Sequence, residues 1–298
     1  MNQEKSSKKR TSTKKKSKGQ SEDLFEDPSV EPLPCIQLPE SLFGGFGEID
    51  PEKLSPLDQA QDLMYDAWEA PTRRKAISLA KKALKTSPDC ADAYTFLAEN
   101  AAETLDEAIG LYQKAVEAGK RALGDDVFEE CVGDFWMVLE TRPYMRACAG
   151  LAYRLWNVGK LDEAIGHYWE MLRLNPDDNQ GIRYVLISCL LKLDRDEDAE
   201  RLFKEYKDDC AAFWNYSKAL LDFRKRGASP TADKSLKEAI KWNKHIPQYL
   251  LGRKKVPRRS PDFYSMGDDA EAIIYVLDNK DAWATTPGAL EWLAGKVK

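Results

Sequence analysis

The side chains that could perform chemistry are few and widely spaced in this sequence. Its 298 residues include only two histidines, His167 and His245, and six cysteines, none closer to another than 17 residues. A zinc site needs closely spaced cysteine and histidine ligands, and no C-x-x-C pair occurs. The motifs G-x-x-x-x-G-K-[ST], G-x-G-x-x-G, H-E-x-x-H and G-x-S-x-G are also absent. The sequence therefore predicts no metal site, no cofactor and no enzymatic activity.

Two further features could suggest a site. Gly44-Gly45-Phe46-Gly47 is rich in glycine, but no strand precedes it, so we do not expect it to bind phosphate. His167 falls in a predicted helix beside Tyr168, where a structural histidine is more common than a catalytic one. We expect neither feature to carry catalysis.

Composition and charge indicate a helical protein with a basic N-terminal tail. Hydrophobic residues make up 43% of the chain and charged residues 32%, and good helix formers dominate. Residues 1–20 carry eight lysines and arginines against one glutamate, a net charge of +7, whereas the whole chain carries −5. The rest of the chain therefore sums to −12, which makes the body of the protein acidic.

The cysteines and the hydropathy pattern predict a cytoplasmic location. Most of the cysteines fall in apolar helical stripes, as small buried thiols do, and no disulfide framework is suggested. No apolar run reaches the length of a membrane-spanning helix, and no apolar segment follows the lysine-rich start as it would in a secretory signal. We therefore expect no contact with a membrane.

The elements that must position any site are helical hairpins. Residues 145–178 form a unit that reads as two amphipathic helices. One apolar stripe ends at Leu155, Gly159 breaks the pattern, and a second stripe runs from Ala164 to a stop before Pro176. Such a hairpin cannot bury its apolar face alone, so it must stack on copies of itself.

Five units of about 34 residues can be counted, beginning at residues 57, 91, 145, 179 and 213. They predict an all-α fold of stacked helical hairpins in residues 55–246, with an insertion at 125–144. Within the insertion, Phe128–Leu139 reads as an additional helix. Residues 247–298 do not fit the period, and we predict that helices over Asp268–Leu277 and Pro287–Lys296 cap the last repeat.

Two segments precede the repeats. Residues 1–20 are rich in lysine, serine and threonine and offer nothing to bury, so we predict a disordered basic tail. Residues 21–54 are acidic and contain several prolines and glycines, which predicts an extended linker.

Hairpins of this length, about 34 residues, with alanine in the second helix and proline at the end resemble tetratricopeptide repeats. The resemblance covers about residues 57–246 and is strongest at Gly159, Ala164, Tyr168 and Pro176. It implies that the stacked hairpins already expected from the period form a right-handed superhelix, a tetratricopeptide-type solenoid.

Three segments carry a more particular resemblance: 141–146 (TRPYMR), 175–184 (NPDDNQGIRY) and 246–252 (IPQYLLG), the last followed by Glu271-Ala272. Together they resemble the suppression-of-tumorigenicity-seven family and its uncharacterised bacterial relatives. Some of those relatives carry an appended metal-binding cluster of cysteines and histidine, which this sequence lacks. The resemblance therefore implies a fold but no activity and no metal.

In solenoids of this kind the first helix of each hairpin lines the concave side, and its residues off the apolar stripe point into the groove. In the first two units these residues are mostly acidic: Asp58, Asp62, Tyr65, Trp68, Glu69, Asp92, Glu99 and Glu103. In the last three units they are basic and aromatic, and they form the candidate partner-binding site: Arg146, Tyr153, Trp156, Asn157, Arg183, Arg224 and Lys225. The alternative is a solvated face that binds nothing.

The favoured function is a non-catalytic protein–protein interaction scaffold. In it, Arg146, Arg183 and Arg224 would hold an acidic or C-terminal carboxylate group of a protein or peptide partner. For Arg183, which lies near an inter-repeat turn, a structural role is the alternative.

Two other hypotheses use the basic tail, although a solubilising tail is the favoured interpretation of residues 1–20. Residues 5–18 could contact nucleic-acid phosphates, although no aromatic residues interleave for base stacking. The tail could instead lie in the acidic half of its own groove.

Overall fold

The computed structural model describes residues 54–297, and every regular element in that range is helical. The helices are α1 Pro56–Trp68, α2 Arg73–Thr86, α3 Ala91–Asn100, α4 Leu105–Glu130, α5 Arg142–Asn157, α6 Leu161–Leu174, α7 Ile182–Lys192, α8 Asp196–Glu205, α9 Ala212–Arg226, α10 Pro230–Trp242, α11 Ile246–Leu250, α12 Asp269–Thr285 and α13 Ala289–Lys296. The predicted basic tail and most of the linker lie outside the described residues.

Short polar side chains begin several of these helices. The Ser55 hydroxyl accepts the N–H of Asp58, and the Asp58 carboxylate accepts the N–H of Ser55 in return. Thr72, Thr104 and Ser229 likewise accept a first-turn N–H of α2, α4 and α10. Each cap satisfies a backbone donor that has no partner within the helix and contributes about 1 kcal/mol.

The first ten helices pack as five consecutive pairs, α1 with α2, α3 with α4, α5 with α6, α7 with α8, and α9 with α10. The first helices of neighbouring hairpins also touch, α1 with α3, α3 with α5, and α7 with α9. The hairpins therefore stack, and the predicted all-α solenoid with a C-terminal helical cap is confirmed.

Small residues allow the helices to approach closely. In the first hairpin Ala60, Ala67, Ala80 and Ala83 are at most 2% exposed, and with Met64 and residues from the start of the second hairpin they form a separate core. From Ala98 to Leu293 a single hydrophobic core runs through the other hairpins and the cap. Each leucine or methionine fully buried in this way contributes about 1.5–3 kcal/mol.

The segment around the predicted insertion differs from the sequence-based expectation. Phe128–Leu139 is not a separate helix, because α4 continues to Glu130 beyond a break at Gly124, whose φ is +74°. The chain then turns at Gly133, where φ is +106°. The N–H groups of Gly133 and Phe135 donate to the carbonyl oxygen of Leu174, which ties the turn to the end of α6.

The C-terminal cap contacts more of the solenoid than the last hairpin alone. Helix α12 contacts both α7 and α9, the first helices of the fourth and fifth hairpins. The Tyr275 ring lies 5.0 Å from that of Phe213 and 5.6 Å from that of Tyr216, measured between centroids. Helix α12 therefore lies along the helices whose outward face was predicted to line the C-terminal half of the groove.

Substitutions at two glycines test how closely α4 approaches α5. A Cβ atom added at Gly150 would overlap the ring of Tyr112, whereas one added at Gly166 on α6 meets nothing within 4 Å. We expect Gly150→Ala to lower the free energy of unfolding by about 1–3 kcal/mol. Gly166→Ala should raise it by about 0.5–1 kcal/mol, because alanine loses less backbone entropy. Urea denaturation measures both, and equal effects would contradict the packing described.

Candidate functional site

A cavity of about 260 Å³ lies between the first helices of the first three hairpins, and we call it the central cavity. Its lining comes from α1, α3, α5 and the turn before α7: Trp68, Asp92, Thr95, Phe96, Glu99, Arg146, Ala149, Gly150 and Gln180. The lining combines aromatic, apolar and charged groups on the face where the sequence predicted a groove.

A bidentate ion pair forms one wall of the central cavity. Arg146 donates from Nε to Oδ1 of Asp92 at 3.0 Å and from Nη2 to Oδ2 at 2.6 Å, and Gln61 donates to Oδ2 at 3.1 Å. The Asp92 side chain is 1% exposed and that of Arg146 is 38% exposed. The Arg146 guanidinium also lies 6.0 Å from the ring centroid of Trp68. The charge of Arg146 is thus matched inside the protein.

Two polar atoms of residues that line the same cavity have no hydrogen-bond partner. Thr95 Oγ1 and Gln180 Oε1 are both buried and unpaired, and Thr95 as a whole is 7% exposed. Leaving a buried polar group unpaired costs about 1–3 kcal/mol. Unpaired buried polar groups in residues that line a cavity are typical of a surface that completes its hydrogen bonds on binding.

Glu99 lines the central cavity, and a hydrogen bond from Tyr112 holds it there. The Tyr112 hydroxyl donates to Glu99 at 3.2 Å, and its ring lies over Gly150, where no Cβ intervenes. Burial, and then the charge of Glu99, raises the pKa of Tyr112 to about 12, so the hydroxyl stays a neutral donor. The exposed Glu99 carboxylate is held at the cavity by this bond.

Exposed aromatic side chains lie on α1 and α5, two of the helices that line the cavity. Tyr65, Trp68 and Tyr153 are 56%, 47% and 55% exposed, and the Tyr65 and Trp68 rings lie 5.7 Å apart. Large exposed aromatic side chains on the first helices of hairpins are the kind of anchor that protein interfaces use.

Two neighbouring cavities extend the central one into a groove. An N-terminal cavity of about 260 Å³, between α1, the start of α3, α4 and α5, shares Arg146 with it. A C-terminal cavity of about 390 Å³ shares Gln180 and is lined by α7, Phe213 and α12, which contributes Glu271, Ile274 and Asp278. We call the three cavities together the groove. Helix α12 closes it at the fourth hairpin.

Arg183 is held by the protein's own carboxylates. It donates to Asp178 at 2.9 Å and to Asp209 at 2.7 Å, and the Tyr184 hydroxyl also donates to Asp209 at 2.7 Å. The guanidinium lies 4.3 Å and 5.3 Å from the ring centroids of Tyr184 and Tyr206. Burial alone would lower the pKa of Arg183, but the hydrogen bond to Asp209 and the nearby charges raise it. Arg183 thus joins the turns after α6 and α8.

Arg224 and Lys225 are also paired within the chain. The Arg224 side chain is 7% exposed, and it binds Asp194 at 3.0 Å, Asp196 at 3.2 Å and the Thr286 hydroxyl at 2.8 Å. Lys225 pairs with Glu200. The structure therefore places Arg224 between α8 and the cap, outside the groove.

The remaining predicted site residues lie on α5. Tyr153 and Asn157 are exposed, whereas Trp156 is half-buried and packs against the core. Of the seven candidates, only Arg146 lines the groove directly, and Tyr153 continues its face along α5.

Sequence reasoning missed Thr95, Gly150 and Gln180. Thr95 lies three residues after Asp92 and four before Glu99, so the helical period could have placed it on their face. The position of Gln180 depends on the turn between α6 and α7, which no periodic pattern reports.

The reactive side chains of the described residues lie apart from the groove lining. Cys90, Cys131, Cys148 and Cys189 are buried and free, and burial raises the pKa of Cys90 to about 11 and that of Cys148 to about 12, which keeps these thiols neutral. Burial also lowers the pKa of His167. Within residues 54–297 no cluster of histidine, cysteine, aspartate or glutamate could hold a metal ion. None of the helices in that range is long and apolar enough to cross a membrane.

A family model described as ST7 protein matches residues 51–296, which is most of the chain. The chain belongs to the ST7 protein family. The match begins just before α1 and ends in α13, so family membership covers the hairpins, the groove and the cap together.

Curated ST7 relatives are distant and longer. The chain is 26% identical over 264 residues to a Suppressor of tumorigenicity 7 protein-like from Danio rerio, covering 82% of this chain and 45% of that protein. It is 27% identical over 255 residues to a Protein ST7 homolog from Drosophila pseudoobscura pseudoobscura, covering 78% of this chain and 47% of that protein. This chain thus spans about half the length of the curated relatives it matches.

Among solved structures, the chain is similar to YrrB, described as a TPR protein with an unusual peptide-binding site. The TM-score is 0.44 and the identity 19%, covering 62% of this chain and 84% of that one.

Proposed function

We propose that this ST7-family chain is a non-catalytic scaffold that binds a peptide segment of a protein partner in the groove. The observation that carries the proposal is the central cavity. It combines the exposed ring of Trp68 and the ring of Phe96, on neighbouring helices, with two residues whose buried polar atoms have no partner, Thr95 Oγ1 and Gln180 Oε1. An extended peptide can supply both the apolar contacts and the hydrogen bonds that this lining lacks.

The length of the groove supports a segment rather than a single small molecule. Three cavities in a row, with a combined volume of several hundred cubic ångströms, share Arg146 and Gln180 at their borders. Val185, which is 42% exposed, adds an apolar contact in the C-terminal cavity. The stacked hairpins hold these residues on rigid helices, which reduces the entropy lost on binding.

A peptide selection tests the proposal. The full chain is immobilised and a random phage-displayed dodecapeptide library is selected on it. We expect the dissociation constants of the enriched peptides, measured by calorimetry, to rise at least tenfold with Trp68→Ala or Tyr153→Ala, because Trp68 lines the central cavity and the exposed Tyr153 lies on α5, which also lines it. The matched control is Trp242→Ala, since Trp242 on α10 is similarly exposed, at 39%, and lies outside the groove lining.

Either of two results would contradict the proposal. One is a failure to enrich any peptide. The other is a set of peptides whose affinity falls as much with Trp242→Ala as with Trp68→Ala. In both cases the groove is not a peptide-binding site.

A further inference from the structure

We infer that the central cavity receives the side chain of a lysine or arginine in the bound segment, so that the partner is basic at this position. The inference rests on the proposed function and adds the chemistry of the ligand. It reverses the sequence-based hypothesis, in which arginines of the groove hold a carboxylate of the partner.

The charge of the groove favours a basic ligand. Seven carboxylates line the three cavities, against one basic residue, Arg146. The carboxylates are Asp58, Asp89, Asp92, Glu99, Glu140, Glu271 and Asp278. Three further basic residues lie next to the lining: Arg121 pairs with Asp89, Arg154 contacts Tyr112, and Lys192 interacts electrostatically with Asp278. When they are included, acidic groups still outnumber basic ones by seven to four. The potential in the groove is therefore negative and attracts a cation.

The arginines expected to bind an anion are already occupied. Arg146 makes a bidentate ion pair with Asp92, and Arg183 pairs with both Asp178 and Asp209. Arg224 donates a hydrogen bond to the Thr286 hydroxyl. A carboxylate entering the central cavity would have to compete with Asp92 for Arg146 and would meet the negative charge of Glu99. Such like-charge contacts disfavour an acidic segment.

The unpaired polar atoms of the cavity residues favour a ligand that donates hydrogen bonds. Gln180 Oε1 can only accept a hydrogen bond, and Thr95 Oγ1 can accept one as well. The Glu99 carboxylate accepts from Tyr112 at one oxygen and is exposed to the groove. A lysine ammonium carries three N–H donors and an arginine guanidinium carries five, so either can satisfy acceptors on several sides.

The aromatic lining fits the rest of such a side chain. Trp68 and Phe96 line the cavity beside these acceptors. The methylene stem of lysine or arginine packs well on aromatic rings while its charged end reaches polar groups, and the cation is attracted by the ring faces. Donors, stem and charge thus match the same cavity.

The experiment uses the dodecapeptides selected on the full chain. We expect each tight binder to contain a lysine or arginine whose replacement by norleucine, which keeps the stem and removes the charge, raises the dissociation constant at least tenfold. We expect Glu99→Gln to weaken binding about five- to tenfold, and the affinity to fall as salt is raised. Glu117→Gln, an exposed carboxylate on α4 outside the groove lining, is the matched control and should change nothing.

Thr95→Val separates a binding role from a structural one. Valine has nearly the shape of threonine and removes a buried hydroxyl without a partner, so the urea midpoint should stay the same or rise while peptide affinity falls about fivefold. Peptides that depend on Trp68 yet bind unchanged after the norleucine replacement, or that carry aspartate or glutamate at the critical position, would overturn the inference and leave the peptide-binding function standing. Peptides that depend on neither Trp68 nor Tyr153 would overturn both.

Discussion

Replacing Arg183 by alanine is expected to lower the free energy of unfolding by about 3–5 kcal/mol, the range found when one partner of a buried ion pair is removed. The substitution leaves Asp178 and Asp209, whose side chains are 1% and 7% exposed, without their cation. It also removes the group that lies against both the Tyr184 and the Tyr206 rings. Urea denaturation followed by circular dichroism measures the loss.

The control for this prediction is Arg173→Ala. Arg173 makes a bidentate pair with Glu170, but the two side chains are 53% and 42% exposed, and such surface pairs contribute at most about 1 kcal/mol. Equal losses for the two variants would show that Arg183 does not bridge the turns. Arg183→Lys should fall between them, because one ammonium cannot reproduce the fork that reaches both carboxylates.

Replacing Trp283 by alanine is expected to cost about 3–5 kcal/mol, as for other fully buried aromatic side chains. Trp283 is 0% exposed, stacks on Trp292 with centroids 6.4 Å apart, and donates from Nε1 to the Tyr275 hydroxyl at 2.8 Å. Its loss leaves a cavity and an unpaired hydroxyl in the contact between α12 and α9. Because α12 lies along α7 and α9, we expect the damage to reach the fourth and fifth hairpins.

Hydrogen exchange locates that damage. Amides of α12, α13, α7 and α9 should exchange faster in the Trp283→Ala variant, and those of α1 and α2, which have their own core, should not. The exposed Trp242 is the control for tryptophan removal. Faster exchange confined to α13 would mean that the cap is only an appendage to the last hairpin.

The cap also limits the site. Helix α12 occupies the face of α7 and α9 that would otherwise prolong the groove, so the open part lies over the first three hairpins and the start of the fourth. The cap thus stabilises the solenoid and sets the length of segment that the groove can accept.

The sequence by itself determined the hairpins and their stacking. The repeat period and the breaks at Gly159 and Pro176 depend only on neighbours along the chain, and helices α5 and α6 end close to where these signals predict. Local signals were insufficient at Phe128–Leu139, where bonds to the distant carbonyl of Leu174 override them.

Only the tertiary structure decided which charges are available to a ligand. From the sequence, Arg146, Arg183 and Arg224 are three basic residues on first helices, and only the position of Arg183 near a turn indicated a structural alternative. The partners of Arg183 and Arg224, Asp209 at 26 residues' separation and Thr286 at 62, are brought close only by folding. The same holds for Thr95 and Gln180, whose polar atoms are buried by helices and turns that are distant in sequence. Side-chain type and the repeat period can be read along the sequence, whereas ion pairing and burial arise only when the chain packs.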